Sequence, residues 1–286
     1  MSALSVRVVG VGDAFTALYY NACLLIESAG TRLLIDAPPA LARALRESAT
    51  GPAEVVGLGD IDHVLITHLH GDHVGGLEQL LFFRRFVTGR KAAVYAIPEV
   101  LAGLWDTRLR GGMETLLDAP GGPARTLSLE DYAEVRPLGP GVTALGDLEI
   151  AWRPTIHHIP TSAVRVRHGS ASVGYSADTA FDPTLIAWLE QADLFFHETN
   201  LGIHTELASL VALPPSTRAR MRLIHYPDFH DVGASPIPCA REGELYTLYR
   251  PAFTTVLAGM TATGMIPGPP RIPQRASRMP RSTEKP

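Results

Sequence analysis

The chain has 286 residues, 46% of them hydrophobic and 19% charged, and a net charge of −4. That is enough for one large globular domain and too close to neutral to gather nucleic acid by its overall field. Its two cysteines, Cys23 and Cys239, form neither a CxxC pair nor a disulfide framework, its first residues lack a basic segment followed by a long apolar one, and no apolar run reaches membrane-spanning length, so a reducing, cytoplasmic setting with no membrane partner is the expectation.

In chain order, residues 5–11 read as a strand, with Gly10, Gly12 and Asp13 marking the turn that follows. Residues 22–27 and 32–35 read as strands paired about Ala29-Gly30, and residues 39–48 as a helix. Residues 62–67 form the next strand. A helix follows over 76–86, with Leu77, Leu80, Leu81 and Arg84 at helical spacing, then a strand over 92–97, and Pro98 opens another helix at the first-turn position that proline favours. Residues 111–117 read as a short helix and Gly121-Gly122-Pro123 as a loop. The second half gives strands at 142–145, 148–153, 163–166 and 172–176, a helix at 183–190, a short buried strand at 194–197, an apolar strand at Leu223-Ile224 and a last strand at 244–249. Two strand-rich halves separated by helices predict two sheets packed face to face with helices outside. One domain is expected over residues 1–252, and a disordered tail over 253–286, whose proline- and arginine-rich composition offers little apolar surface to bury.

The segment Thr67-His68-Leu69-His70-Gly71-Asp72-His73-Val74-Gly75-Gly76 packs three imidazoles and a carboxylate into six positions, directly after the apolar run Val64-Leu65-Ile66. Side chains two apart in extended backbone point the same way, so His68 and His70 can grip one ion together. Asp72 and His73 are adjacent and must diverge, which suits a second ion nearby. Imidazole with carboxylate favours Zn, with Mn or Fe as alternatives, over Ca or Mg. Three further groups stand just past apolar runs: Thr155-Ile156-His157-His158, Ser176-Ala177-Asp178-Thr179 and Ile224-His225-Tyr226-Pro227-Asp228. Loops at such positions carry chemistry on a rigid scaffold.

This ordered set resembles the metallo-β-lactamase superfamily: Asp36 in Leu34-Ile35-Asp36, then HxHxDH, His157, Asp178 and His225. The resemblance runs from about Leu4 to Arg250. It implies an α/β fold, a four-layer αβ/βα sandwich, with a dinuclear site at the sheet edges. By position, His68, His70 and His157 would hold one divalent ion, and Asp72, His73 and His225 a second. Asp178 would bridge the two, and Asp36 would orient the ligand loop. His157 and His158 compete for one place; His157 stands three residues before Pro160 and six before Ala163, as the family's ligand does. Where the family usually carries Gly-Asp-Thr, this chain has Ala177-Asp178-Thr179.

Within that superfamily, Phe196-His197-Glu198-Thr199-Asn200, with His204-Thr205 after it, resembles the ribonuclease Z and phosphodiesterase branch. There a histidine oriented by a glutamate serves the departing phosphate oxygen, a role that falls by position on His204 with Glu198. The resemblance implies a metal-dependent phosphodiesterase in which a metal-bridging hydroxide, oriented by Asp72, attacks phosphorus. Asp178 follows His157 by only 21 positions, leaving no inserted arm for gripping tRNA. The expected partner is therefore a small or cyclic phosphodiester rather than a full tRNA; a homodimer is a separate, open expectation. The competing readings are a lactone, thioester or β-lactam hydrolase on the same site, and a metal-stabilised binding protein without turnover. His63 is expected to pack in its strand, His168 to sit in a turn, and Arg84 and Arg85 to lie on a solvated helix face.

Overall fold

In the computed structural model the described residues are 3–249, so the tail expected over 253–286 lies outside them. The strands are β1 (Leu4–Gly10), β2 (Cys23–Glu27), β3 (Arg32–Ile35), β4 (His63–Leu65), β5 (Ala92–Ala96), β6 (Thr115–Leu117), β7 (Ala124–Thr126), β8 (Ala133–Pro137), β9 (Val142–Leu145), β10 (Leu148–Pro154), β11 (Ser162–His168), β12 (Ala171–Tyr175), β13 (Leu194–Glu198), β14 (Met221–Ile224) and β15 (Leu245–Leu248). The helices are α1 (Leu41–Glu47), α2 (Gly71–Val74), α3 (Leu77–Phe83), α4 (Pro98–Leu104), α5 (Arg110–Met113), α6 (Leu129–Tyr132), α7 (Pro183–Leu189), α8 (Leu207–Val211) and α9 (Pro215–Ala219).

Among the described residues the strands form one sheet in the order β15-β1-β2-β3-β4-β5-β8, a second in the order β14-β13-β12-β11-β10-β9, and a β6-β7 hairpin. The two large sheets face each other: Leu24, Ile26 and Ile35 of the first enclose a small apolar void together with Val164, Val166 and Val173 of the second. Strands covered on both faces read as continuous apolar runs. β5 and β13 are buried at every position, and one apolar core links both sheets to their flanking helices. This is the four-layer αβ/βα sandwich.

Strand direction sets where the chemistry lies. β3, β4, β5 and β8 run parallel, as do β12, β13 and β14. β1 reaches β3 through two antiparallel steps, and β10 reaches β12 in the same way. Strands β1, β3 and β4 of one sheet, and β10, β12, β13 and β14 of the other, therefore each end at the carboxyl edge of their sheet, where ligands of open α/β folds collect. Asp13, Asp36, His68, His157, Asp178 and His225 all stand in the turns just past those ends.

Gly76 holds the ligand loop against its neighbour. Its amide donates to the Ala37 carbonyl at 2.7 Å, and a Cβ built on it would fall 2.1 Å from the Pro38 carbonyl oxygen, so no side chain fits there.

The structure corrects three expectations. Residues 111–117 are not one helix: the chain is helical to Met113, and Thr115–Leu117 then pairs with β7 across the Gly121-Gly122 loop, because cross-strand pairing outweighs a weak local helix preference. The helix placed over 76–86 ends at Phe83 and widens into a π-turn over Arg84–Thr88, closed by Gly89 at φ 68°. Arg84 is not on a solvated face. Its side chain is 1% exposed, and its guanidinium donates to the Gly59 carbonyl and to Asp62. Arg85 donates to the Asp131 carbonyl and lies 4.9 Å from the Tyr132 ring centroid. His63 is half-buried in β4, with its ring 5.9 Å from Tyr95, and His168 ends β11 at 3.2 Å from Asp147.

Replacing Arg84 by leucine keeps the buried aliphatic stem and removes the donors to Gly59 and Asp62. Hydrogen bonds of this charged kind contribute about 1.5–3 kcal/mol each, offset in part by apolar filling. Urea unfolding of Arg84→Leu is expected to show a loss of roughly 1–3 kcal/mol; unchanged stability would mean this arginine is a passive filler.

Candidate metal centre and active site

Each functional side chain enters from the end of a strand. β4 runs out into Thr67 and His68, and the chain stays extended to His70, whose φ, ψ of −70°, 150° precede the one-turn helix α2. Asp72 and His73 ride on that turn, which is why neighbouring residues there face different partners. His157 stands in the loop after β10, Asp178 in the turn after β12, Glu198 at the end of β13 and His225 immediately after β14.

Two sets of donor atoms result. His68 Nε2 and His157 Nε2 lie 3.2 and 3.1 Å from His70 Nδ1, and each is 3.7 Å from Asp178 Oδ2. In the second set, His73 Nε2 is 3.2 Å from both Asp72 Oδ2 and Asp178 Oδ1, while His225 Nε2 is 3.2 Å from Asp72 Oδ2 and 3.6 Å from Asp178 Oδ1. Asp178 thus presents one oxygen to each set. The structure brings together all seven residues singled out from the sequence. His158 is exposed, with its ring 6.3 Å from that of His70, and stays outside both sets.

These sets fit divalent cations. Four ligands about 2.0–2.2 Å from a tetrahedral ion stand roughly 3.3 Å from one another, close to the donor spacing here. His73 Nε2 and Asp178 Oδ1 are buried and make no hydrogen bond although oxygen and nitrogen neighbours lie close, as expected of lone pairs aimed at a shared point.

Proton affinities point the same way. Burial is the largest influence on His68, His70 and His157 and drives all three down, His157 to about 4, so they stay neutral with lone pairs available. In the other set burial also opposes charge on the histidines, but the carboxylates win. Asp178, Asp72 and Asp36 raise His73 well above its usual range, and Asp178, the hydrogen bond to Asp72 and the charge of Glu198 push His225 up to about 10. Burial would raise Asp72 and Asp178, yet the neighbouring histidines hold both well below the usual carboxylate range. A cage that binds protons this tightly calls for positive charge.

The supporting groups are buried. Asp36 accepts from the Thr67 amide at 2.8 Å, from the Thr67 hydroxyl at 2.9 Å and from His73 Nδ1 at 2.8 Å, fixing which nitrogen of His73 faces the cavity. Thr67, not singled out from the sequence, also sits 3.0 Å from His68 Nδ1. Glu198 accepts from the Thr179 amide and, at 2.7 Å, from His204 Nδ1; its Oε2 also lies 3.3 Å from His225 Nδ1. Burial alone would lower His204, but the Glu198 hydrogen bond and charge outweigh it and raise its pKa. His197 is buried with Nδ1 2.7 Å from the Glu198 carbonyl, and His230 contacts the Cys239 thiol, so neither reaches the site. His70, Asp72, His157, Asp178, His204 and His225 open on a cavity of about 750 Å³, within the roughly 300–1,000 Å³ common for small-molecule sites.

Fold and donor geometry together define a metallo-β-lactamase-fold protein. YhfI from Bacillus subtilis, solved with that fold, matches at a TM-score of 0.67 and 19% identity over 86% of this chain and 99% of its own. The short form of human tRNase Z matches at a TM-score of 0.61 and 16% identity, over 85% and 98%. Residues 4–236 match the family model described as Anti-Pycsar protein Apyc1, and the chain belongs to that family. The Anti-Pycsar protein Apyc1 of Saccharibacillus brassicae is 34% identical over 239 residues, covering 79% of this chain and 90% of that one.

The raised histidines make the metal-free protein sensitive to base. Above about pH 6.5 His73 and His225 are neutral in the unfolded chain but still protonated in the folded one. Their contribution is complete below pH 6.5 and disappears as the pH climbs through the folded value of about 10 for His225. Thermal melts of chelator-treated protein are expected to fall steadily from pH 7 to pH 10, and zinc added at pH 9 should restore the loss. A flat profile would show that the buried carboxylates do not hold protons in this way.

Proposed function

We propose that this protein is a dinuclear metal-dependent phosphodiesterase that opens a small cyclic phosphodiester such as a cyclic nucleotide. The observation that carries the reading is the Glu198–His204 pair beside the two donor sets: a carboxylate-held imidazole, 20% exposed, facing the same cavity. Ester and lactam hydrolysis on such a scaffold has no evident need for it, whereas a phosphodiester must expel an alkoxide. The name shared by the family, and the tRNase Z among the structural neighbours, support phosphodiester chemistry. Only β11, a turn and β12 separate His157 from Asp178, which favours a small substrate over a whole tRNA.

His68, His70 and His157 would hold one divalent ion and Asp72, His73 and His225 the other, with Asp178 between them; zinc suits this donor chemistry best. When bound, the ions supply Lewis acidity toward the phosphoryl oxygens and acidify water. Asp72 accepts a hydrogen bond from the attacking water and orients it toward phosphorus. As the new P–O bond forms, the P–O bond to the ring carbon's oxygen breaks and His204 delivers its proton to that oxygen, while the proton the water sheds passes to solvent, from which His204 is reprotonated. Glu198 raises the imidazole's hold on its proton and aims it at the cavity.

Positioned acids of this kind contribute about 10²–10⁴-fold. His204→Ala is therefore expected to lower kcat on a 3′,5′-cyclic nucleotide by about that factor, with metal content by mass spectrometry unchanged. It should affect bis-p-nitrophenyl phosphate much less, because p-nitrophenolate leaves without help. Loss of the metals, or equal loss on both esters, would refute the acid role. Turnover of lactones, thioesters or nitrocefin with none on any phosphodiester would overturn the reading as a whole.

A further inference from the structure

Beside the two donor sets lies a third group with metal-binding chemistry. Glu198, His204 and His225 each offer one donor atom, all within 4.8 Å of one another. Glu198 Oε2 is the centre of the group, 2.7 Å from His204 Nδ1 and 3.3 Å from His225 Nδ1. His225 reaches the second donor set through Nε2, 3.2 Å from Asp72 Oδ2, which leaves Nδ1 on the other side of its ring. That nitrogen is buried, on a side chain 2% exposed, and makes no hydrogen bond.

The group suits a cation. Two imidazoles with a carboxylate are zinc chemistry, and tetrahedral zinc separates its ligands by roughly 3.3 Å. The spacings of 2.7 and 3.3 Å lie near that value, so small side-chain shifts admit an ion. Glu198 is fully buried, and the Thr179 amide engages its other oxygen, leaving Oε2 to the two rings. The place can be reached, because His204 lines the cavity, and water can fill the fourth coordination position. His168 with Asp147, and His230 with Cys239, bring only two donors each. Among the described residues, three or more such donors converge only here and in the two sets already described. An ion at this third place stands beside two others, and their mutual repulsion makes it the weakest held. It fills only when zinc exceeds what the two donor sets take up.

Resting on the phosphodiesterase reading for its effect on turnover, we propose that Glu198, His204 and His225 form a third, inhibitory zinc site. Zinc there takes the place of the proton that His204 Nδ1 shares with Glu198. The ring of His225, deprotonated at Nδ1, links the ion to the second donor set, and the displaced protons go to solvent. His204 becomes a neutral, metal-bound imidazole whose remaining N–H is a far weaker acid than an imidazolium. Free zinc thus switches the acid off while the two donor sets stay filled.

The test uses the full zinc-loaded chain, His204→Ala and Glu198→Gln. Isothermal titration calorimetry with zinc beyond two ions per chain is expected to show one further event in the wild type, weaker than the first two and lost in both variants. Should Glu198→Gln fail to fold, His204→Ala decides alone. Turnover of a 3′,5′-cyclic nucleotide should fall as the third ion binds, toward the level of His204→Ala, about 10²–10⁴-fold below the wild type. The residual turnover of His204→Ala should not respond to the same zinc. Excess magnesium, which prefers oxygen ligands, should leave the wild type unchanged. The site is overturned if no further event is seen, if the event persists in His204→Ala, or if zinc inhibits that variant as strongly as the wild type. If the third ion binds through these residues and turnover continues, the site stands, but its inhibition and the acid role of His204 fall. If no phosphodiester is turned over at all, the phosphodiesterase reading falls and the titration decides the site.

Discussion

The Asp178 carboxylate, with one oxygen in each donor set, is the contact on which the rest of the arrangement depends. Its oxygens lie 3.2–3.7 Å from nitrogens supplied by His68, His73, His157 and His225, residues far apart in the chain. Such convergence needs strands from two sheets that all end at carboxyl edges brought face to face. The parallel runs in each sheet, and the antiparallel steps that restore direction at β1 and β10, produce it. The buried sandwich below makes the meeting point stiff, and stiffness is what lets an anionic oxygen sit in two clusters without relaxing toward one.

Local backbone strain sharpens that convergence. Asp36, Ala177 and His225 stand in the left-handed region at φ 64°, 50° and 53°, each at or within two residues of a strand end. The conformation costs roughly 1–2 kcal/mol for a residue with a Cβ. It is tolerated where other contacts over-determine the position, as when Asp36 accepts three hydrogen bonds from Thr67 and His73. The sharp turn leaves the sheet within one residue, so a side chain that would have continued the pleat faces the cavity instead. At 177 the related family usually carries glycine, which takes this conformation freely. Alanine bears the strain and buries its methyl completely, a gain of about 0.8 kcal/mol that offsets much of the cost.

How far the site was legible follows from the same geometry. HxHxDH could be read because extended backbone alternates, and His157, Asp178 and His225 because each stands just past an apolar run, whereas Asp36 entered only through the family resemblance. Arg84 shares the helical spacing of Leu77, Leu80 and Leu81, which puts it on the buried face, while its charge points to solvent; the period prevails because Gly59 and Asp62 accept from the guanidinium. β8 offered no comparable signal. Only Ala133 of its five residues is buried, and it is a strand because β5 lies beside it. Short helices α8 and α9 were missed too, the second despite a proline at its first turn. Thr67 could not be found in advance, since its part depends on Asp36 lying across a parallel strand pair. The ties among Asp13, Asn200, Thr16 and Asp228 likewise join positions 187 and 212 residues apart, visible only once the end of β1 in one sheet meets the ends of β13 and β14 in the other.

Glu198 joins the two halves of the proposed chemistry. One of its oxygens accepts the amide of Thr179, next to Asp178; the other takes Nδ1 of His204 and lies 3.3 Å from Nδ1 of His225. That oxygen accepts a hydrogen bond from His204, while His225 Nδ1 stands beside it without a hydrogen bond of its own and feels its charge. The proton on His204 and the orientation of His225 therefore draw on a single buried charge. A stronger pull by one ring weakens the hold on the other, and any change in charge at His225 reaches the acid through that oxygen. Substitutions at the two histidines should then be non-additive, as residues sharing one buried partner are. His204 and His225 thus share one buried carboxylate neighbour, placed where β13 and β14 run side by side and end together.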